Sequence, residues 1–251
     1  QVDRARGDFA DRRTEAARLR TKGLTGLCLG CHARQVSPAD FGAAEVKVKE
    51  LGLSPLERAH FLASTRQFDA ALGLWSAALA APAKSDEDAF GQMQALRWAV
   101  SVSVRAKDDP AATVKLLDGQ LARKGLPLLL SSTLPAWQRE ARGWGAEKFR
   151  AAAQTPSALF ARAKALIEAS GATASVFPDE DSLVSLLRAT GYLSQALERE
   201  PGAAWRGEAL YLLGVANSAI LDPDLYELDT LYLETCVREF PHSALARKCV
   251  D

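Results

Sequence analysis

Phe68-Asp69-Ala70-Ala71-Leu72-Gly73-Leu74-Trp75-Ser76-Ala77-Ala78-Leu79-Ala80-Ala81-Pro82 reads as one helix over 68–81. Alanine and leucine are strong helix formers, and Pro82 cannot continue the helix. Within it Ala70, Leu74, Ala77 and Pro82 share a spacing with Ala189, Leu193, Ala196 and Pro201. Alanines three and four residues either side of a large apolar residue let two helices approach closely while the large side chain fills the space between them. Asp229, Leu233, Cys236 and Pro241 form a looser third copy, with Cys236 in a small-residue position.

The rest of the chain agrees. Helical spacing dominates and strand-like alternation is scarce. Pro and Gly divide the sequence into helices expected over about 8–21, 55–66, 68–81, 86–106, 110–123, 135–152, 156–169, 180–199, 203–220, 224–239 and 243–250. Three begin with a cap residue followed by Pro at the first helical position: Ser54-Pro55, Asp109-Pro110 and Thr155-Pro156. The spacing A-x3-large-x2-A-x4-P resembles the second helix of a tetratricopeptide (TPR) repeat. Ala209-Leu210-Tyr211-Leu212-Leu213-Gly214, with Trp205 upstream, resembles a first helix. The tail from Tyr232 through Phe240-Pro241-His242-Ser243 to Ala246 is similar to repeats of bacterial envelope scaffold lipoproteins. That resemblance implies an all-α, TPR-like solenoid or bundle over 54–251, interrupted around 107–134, where no register is kept. The last helix is short for a polar capping helix, so the array is expected to continue.

Composition sets the outer limits. The chain has 251 residues, 48% of them apolar, with 31 Lys+Arg balancing 31 Asp+Glu. A neutral chain is not a general nucleic-acid binder. No apolar run is long enough for a transmembrane segment, and Gln1–Gly7 is not followed by the apolar stretch of a signal peptide.

The chemistry lies in Cys28-Leu29-Gly30-Cys31-His32. Two intervening residues let one helical turn present both thiols on one side, with the next residue's imidazole beside them. A thioredoxin-like motif would follow a strand in a βαβ unit, and no strand pattern precedes Cys28. A zinc site needs further ligands, and the other Cys and His residues are isolated. The motif resembles the haem-attachment site of c-type cytochromes. It implies one covalent haem c bound through Cys28 and Cys31, with His32 as proximal iron ligand, on a 1–53 attachment segment. It also implies a periplasmic or extracytoplasmic setting, compatible with a lipid anchor upstream of Gln1. In that oxidising setting Cys236 and Cys249, on helices flanking Pro241-His242-Ser243, are expected to pair as a disulfide; buried free thiols are the alternative.

The sixth iron ligand has few candidates. His60 is first, on the first repeat-like helix. Met93, the only methionine, is second, although its surroundings read as helix. His242 is third, and an open position remains. Two strong axial ligands favour electron transfer, whereas an open site favours a gas or redox sensor or a peroxidase. Residues 1–35 carry eight Lys or Arg against four acids, and residues 222–239 six acids against one Arg. The neutral total therefore averages a basic motif end and an acidic distal segment. Such charges are usually solvated helix faces; the other reading is steering of an acidic redox partner. No hydrolytic triad, Walker loop or dinucleotide fingerprint competes. The expectation is a monohaem electron carrier rather than an enzyme, held by its helices to a redox partner or larger envelope complex. The rivals are a sensor or peroxidase, and a scaffold in which haem staples the N-terminal segment.

Overall fold

A computed structural model describes residues 2–17, 52–123, 126, 128–173, 180–220 and 228–250. The described residues form eleven α-helices and no strand. They are α1 (Val2–Ala10), α2 (Pro55–Ser64), α3 (Phe68–Ala80), α4 (Asp86–Ser101), α5 (Pro110–Leu121), α6 (Leu128–Ala146), α7 (Pro156–Ala169), α8 (Leu183–Arg199), α9 (Arg206–Ile220), α10 (Leu228–Glu239) and α11 (Ala244–Val250). A π-helical segment, Val102–Ala106, continues α4.

Local chemistry explains the helix starts. Ser54 and Glu57 form a reciprocal capping box: Ser54 Oγ accepts from the Glu57 amide at 3.3 Å, and the Ser54 amide donates to Glu57 Oε2 at 2.9 Å. Asp109 Oδ1 accepts from the Ala112 amide at 2.9 Å, and Thr155 Oγ1 from the Ala158 amide at 3.2 Å. Each of these three helices has its Pro in the first turn, where the missing N–H has no intrahelical role. After α2 the chain reverses through Arg66, which has φ 63°. The Gln67 amide returns to the Leu62 carbonyl at 2.8 Å and the Arg66 amide to that of Ala63 at 3.0 Å. This is a Schellman closure formed without its usual glycine.

Consecutive helices pack as pairs: α2 with α3, α5 with α6, α7 with α8, and α9 with α10. Helix α8 also packs against α4, the π-helical segment, α6 and α9. It buries Leu183, Val184, Leu186, Leu187, Tyr192 and Leu193 in one continuous core with Trp75, Trp98 and Trp137.

Three expectations change. The helix expected over 8–21 is broken: one helix spans Val2–Ala10, Arg12 has φ 60°, and residues 14–17 are helical again, while 18–21 lie outside the described residues. Helix α6 begins at Leu128 and passes through Pro135, rather than starting there. Burial of Leu130 and Leu134 draws the earlier turns onto the core and offsets the amide that Pro135 lacks. The repeat register also differs between copies. In α8, Ala189, Leu193 and Ala196 are all buried, whereas in α3 the buried residues are Ala71, Trp75 and Leu79. Ala70 and Leu74 of α3 are half-buried and Ala77 is exposed. Helix α3 is therefore turned by about one residue relative to the shared pattern.

Two half-buried carboxylates hold α8. Its own N-cap, Ser182, makes no side-chain capping bond. Instead, Glu140 of α6 accepts from the Val184 and Ser185 amides at 3.1 and 3.2 Å and from the Ser185 hydroxyl. Burial raises the Glu140 pKa, and the hydrogen bonds from Ser185 and Val184 only partly oppose it. Farther along, Arg188 is 2% exposed and lies over the Trp144 ring, 5.1 Å from its centroid. It donates to both oxygens of Glu147, at 3.1 and 2.7 Å, and Arg162 reaches the same carboxylate at 2.7 Å. Burial alone would raise the Glu147 pKa, but Arg188 and then Arg162 outweigh it and hold the pKa below its usual value.

Two predictions follow from this packing. A Cβ on Gly214 would stand 2.5 Å from Leu233 Cδ2 and Cγ, whereas one on Gly73 would meet nothing within 4 Å. Gly214→Ala should lose about 1–3 kcal/mol of stability through overpacking, and Gly73→Ala should gain about 0.5–1 kcal/mol; thermal melts check both. The Glu147 contribution is present above its unfolded pKa of about 4.3 and is lost as pH falls through the lower folded value. Glu147→Gln should cost about 1–3 kcal/mol at neutral pH by removing the negative charge that faces buried Arg188. It should also flatten the acid limb of stability against pH in urea melts.

Candidate functional site

Helix α2 carries His60 on a half-buried face. Its imidazole meets two indoles, Trp75 of α3 at 5.6 Å between centroids and Trp98 of α4 at 5.1 Å. The imidazole stands nearly perpendicular to both, at 75° and 86°, while the indoles lie near-parallel at 19° and 6.5 Å. Trp75 is fully buried and Trp98 is 2% exposed, so both walls belong to the core. The helix order produces this arrangement. The Arg66 reversal lays α3 back along α2, and the 81–85 connection brings α4 alongside α3. Helix α4 also lies beside α2, since a Cβ on Gly91 would be 3.7 Å from Leu56 Cδ1.

The α3–α4 connection is itself fastened. Gln92 donates through Nε2 to the Ala81 carbonyl at 2.6 Å, and Arg123 donates to the same carbonyl at 2.9 Å and to Gln92 Oε1 at 3.2 Å. These donors satisfy a carbonyl just beyond the end of α3, which has no helical partner. They fix α4, and with it Trp98, relative to α3.

The other candidates are distributed as follows. Cys28, Cys31 and His32 lie outside the described residues. Met93 is half-buried on α4 and packs against the main core, on a helix neighbouring that of His60. His242 is exposed in the turn between α10 and α11, with φ 63°. Cys236 of α10 and Cys249 of α11 are joined as a disulfide, with Cα atoms 6.4 Å apart. They lie in a small satellite core with Leu210, packed by Leu233, Val237, Phe240 and Leu245. No described helix is long and apolar enough to cross a membrane.

Among the described residues, no three His, Cys, Asp or Glu side chains gather where they could hold a metal ion. A tetrapyrrole makes a different demand, because it brings four equatorial nitrogens and needs one or two axial ligands. His60, half-buried with two indoles against its ring, is the described imidazole against which that demand can be tested. Trp75 Nε1 is buried without a hydrogen-bond partner among the described residues. Sequence reasoning selected His60 but missed its walls. Trp75 and Trp98 follow it by 15 and 38 residues, and only the packing of α2, α3 and α4 brings them to one imidazole. Compared with family models, curated proteins and solved structures, the chain matches none.

The disulfide gives a direct chemical check. Under denaturing but non-reducing conditions Cys236 and Cys249 should resist alkylation, and each should take up one label after reduction. Peptide mapping by mass spectrometry reads this, and labelling of either cysteine before reduction would contradict the bridge.

Proposed function

We propose that this protein is a monohaem c-type cytochrome that transfers single electrons. Its helices form a TPR-like array that docks it to a redox partner or a larger envelope complex outside the cytoplasm. The observation that carries this reading is Cys28-Leu29-Gly30-Cys31-His32. Thioether bonds from Cys28 and Cys31 would fasten the haem, and His32 would take the proximal position. His60 is the proposed distal ligand, with Met93 the second choice. The cradle around His60 supports that order, because two indoles already limit how its ring is turned.

Haem iron supplies a one-electron couple. The chain's part is to hold two axial ligands through that change and to keep a polar solvent from reorganising around the iron. His60 suits that task because its helix is capped at Ser54 and closed at Arg66, so its backbone is fixed at both ends. A ligand pair that stays bound in both oxidation states leaves no position for a substrate, so the protein is read as a carrier rather than an enzyme. The array reading rests on the sequential helix pairs and on the buried Ala189, Leu193 and Ala196 of α8. The rotated register of α3 makes it an irregular array.

A redox-titrated absorption spectrum tests the proposal. The wild type should be low-spin in both oxidation states and unperturbed by carbon monoxide. His60→Ala should become high-spin and bind carbon monoxide, while Met93→Ala should keep the wild-type spectrum. Loss of the low-spin form in Met93→Ala alone would transfer the distal role to Met93. Ready carbon monoxide binding by the wild type would favour the sensor or peroxidase reading.

A further inference from the structure

We infer that α11 is a redox-dependent latch: reduction of Cys236–Cys249 by a dithiol frees it from α9 and α10 while the main core stays closed. The latch is independent of the haem motif and of His60. Helix α11 has seven residues, short of the roughly 12–15 at which an isolated helix becomes even marginally stable in water. Its order therefore comes from packing, which is mainly against α10 and, less extensively, against α9. Ala246 and Cys249 are its buried residues, while Arg247, Lys248 and Val250 are exposed. Its first turn has two anchors of its own. The Ser243 hydroxyl accepts from the Ala246 amide at 3.0 Å. Leu245 packs so closely on α9 that a Cβ on Gly207 would stand 2.4 Å from Leu245 Cδ2. The last turn is held by Cys249, through the bridge to fully buried Cys236.

Release of α11 would open the satellite core and spare the main one. The satellite core buries Leu210, Cys236 and Cys249, and the half-buried Leu197, Tyr211 and Tyr232 pack against both cores. Helix α10 has a separate fastening to α9, because Arg206 donates to both oxygens of Glu239 at 2.6 and 2.8 Å. The bridge is approached from the Cys249 side: Cys249 is 6% exposed and lines a surface cleft with Leu233, Val237 and Val250. A thiolate of the dithiol, its proton given to solvent, attacks Cys249 Sγ and forms a mixed disulfide. Cys236 Sγ leaves with the electron pair and takes up a proton as it is freed. The reductant's second thiol then attacks its own sulfur in the mixed disulfide and releases Cys249 as a thiol. The protein gains two electrons and two protons, and the dithiol becomes a disulfide.

Amide hydrogen exchange of the full chain, read by mass spectrometry with and without dithiothreitol and without denaturant, tests the latch. Alkylation at both cysteines confirms that the bridge has opened. On reduction the amides of α11 should exchange faster by about tenfold or more, while those of α8 keep their rates. Cys236→Ala/Cys249→Ala should show the reduced pattern without dithiothreitol. Unchanged exchange in α11 after full reduction overturns the inference, because Leu245 and the Ser243 cap would then hold the helix unaided. Equal acceleration in α8 also overturns it, because the bridge would then support the whole fold. A bridge that dithiothreitol opens only in denaturant overturns it too, as a fixed staple rather than a latch. Should the double variant fail to accumulate, reduction of the wild type decides alone.

Discussion

Helix α8 packs against α4 and its π-helical extension, α6, α7 and α9, so the polar groups it carries have to be satisfied by protein rather than by water. The surrounding structure meets that constraint in part, and leaves Arg188 Nε, Ser194 Oγ and Gln195 Oε1 buried without a hydrogen-bond partner among the described residues. Glu140 takes the first amides of α8, which Ser182 leaves uncapped. Glu147 and the Trp144 ring take the buried guanidinium of Arg188. Both acids come from one helical passage, α6 and the residue just after it, so α6 has to lie where it does. An uncompensated buried charge is far more costly than an exposed pair is helpful, which makes these two contacts more decisive than the many surface ion pairs. With α8 fixed, α5 joins it through α6, α10 through α9, and the α2–α3 pair through α4.

The small aromatic assembly at His60 depends on the same core. Trp75 and Trp98 are part of the apolar cluster that includes Leu187, Tyr192 and Leu193 of α8. The core therefore has two roles near α2: it buries the indoles, and it presents them as fixed walls to a half-buried imidazole. Were His60 the distal ligand, as proposed, its place against core side chains would hold it more firmly than a loop would.

Much of the helical pattern was legible from local signals. The helix 156–169 is bounded as Thr155 and Pro156 imply, and the starts at Ser54 and Asp109 follow the same cap-and-proline chemistry. Local rules failed where tertiary burial opposed them. Pro135 marks a helix start by its own chemistry, yet Leu130 and Leu134 extend the helix past it. The shared alanine spacing marks Ala77 as an interface residue, yet α3 buries Ala71, Trp75 and Leu79 and leaves Ala77 exposed. Glu140 carried no local sign that it would cap another helix 44 residues away. For the candidate site, Cys28-Leu29-Gly30-Cys31-His32 is legible because its residues are contiguous in sequence. The indole walls were not, because they exist only where three helices meet.

The central proposal is a covalent haem at Cys28 and Cys31, and the intact mass of the chain matured in a bacterial periplasm tests it. The expected value is the polypeptide mass plus one haem, retained under denaturing conditions that strip any non-covalent cofactor and lost in Cys28→Ser/Cys31→Ser. A chain of bare polypeptide mass, isolated from cells that load a control c-type cytochrome, would contradict it.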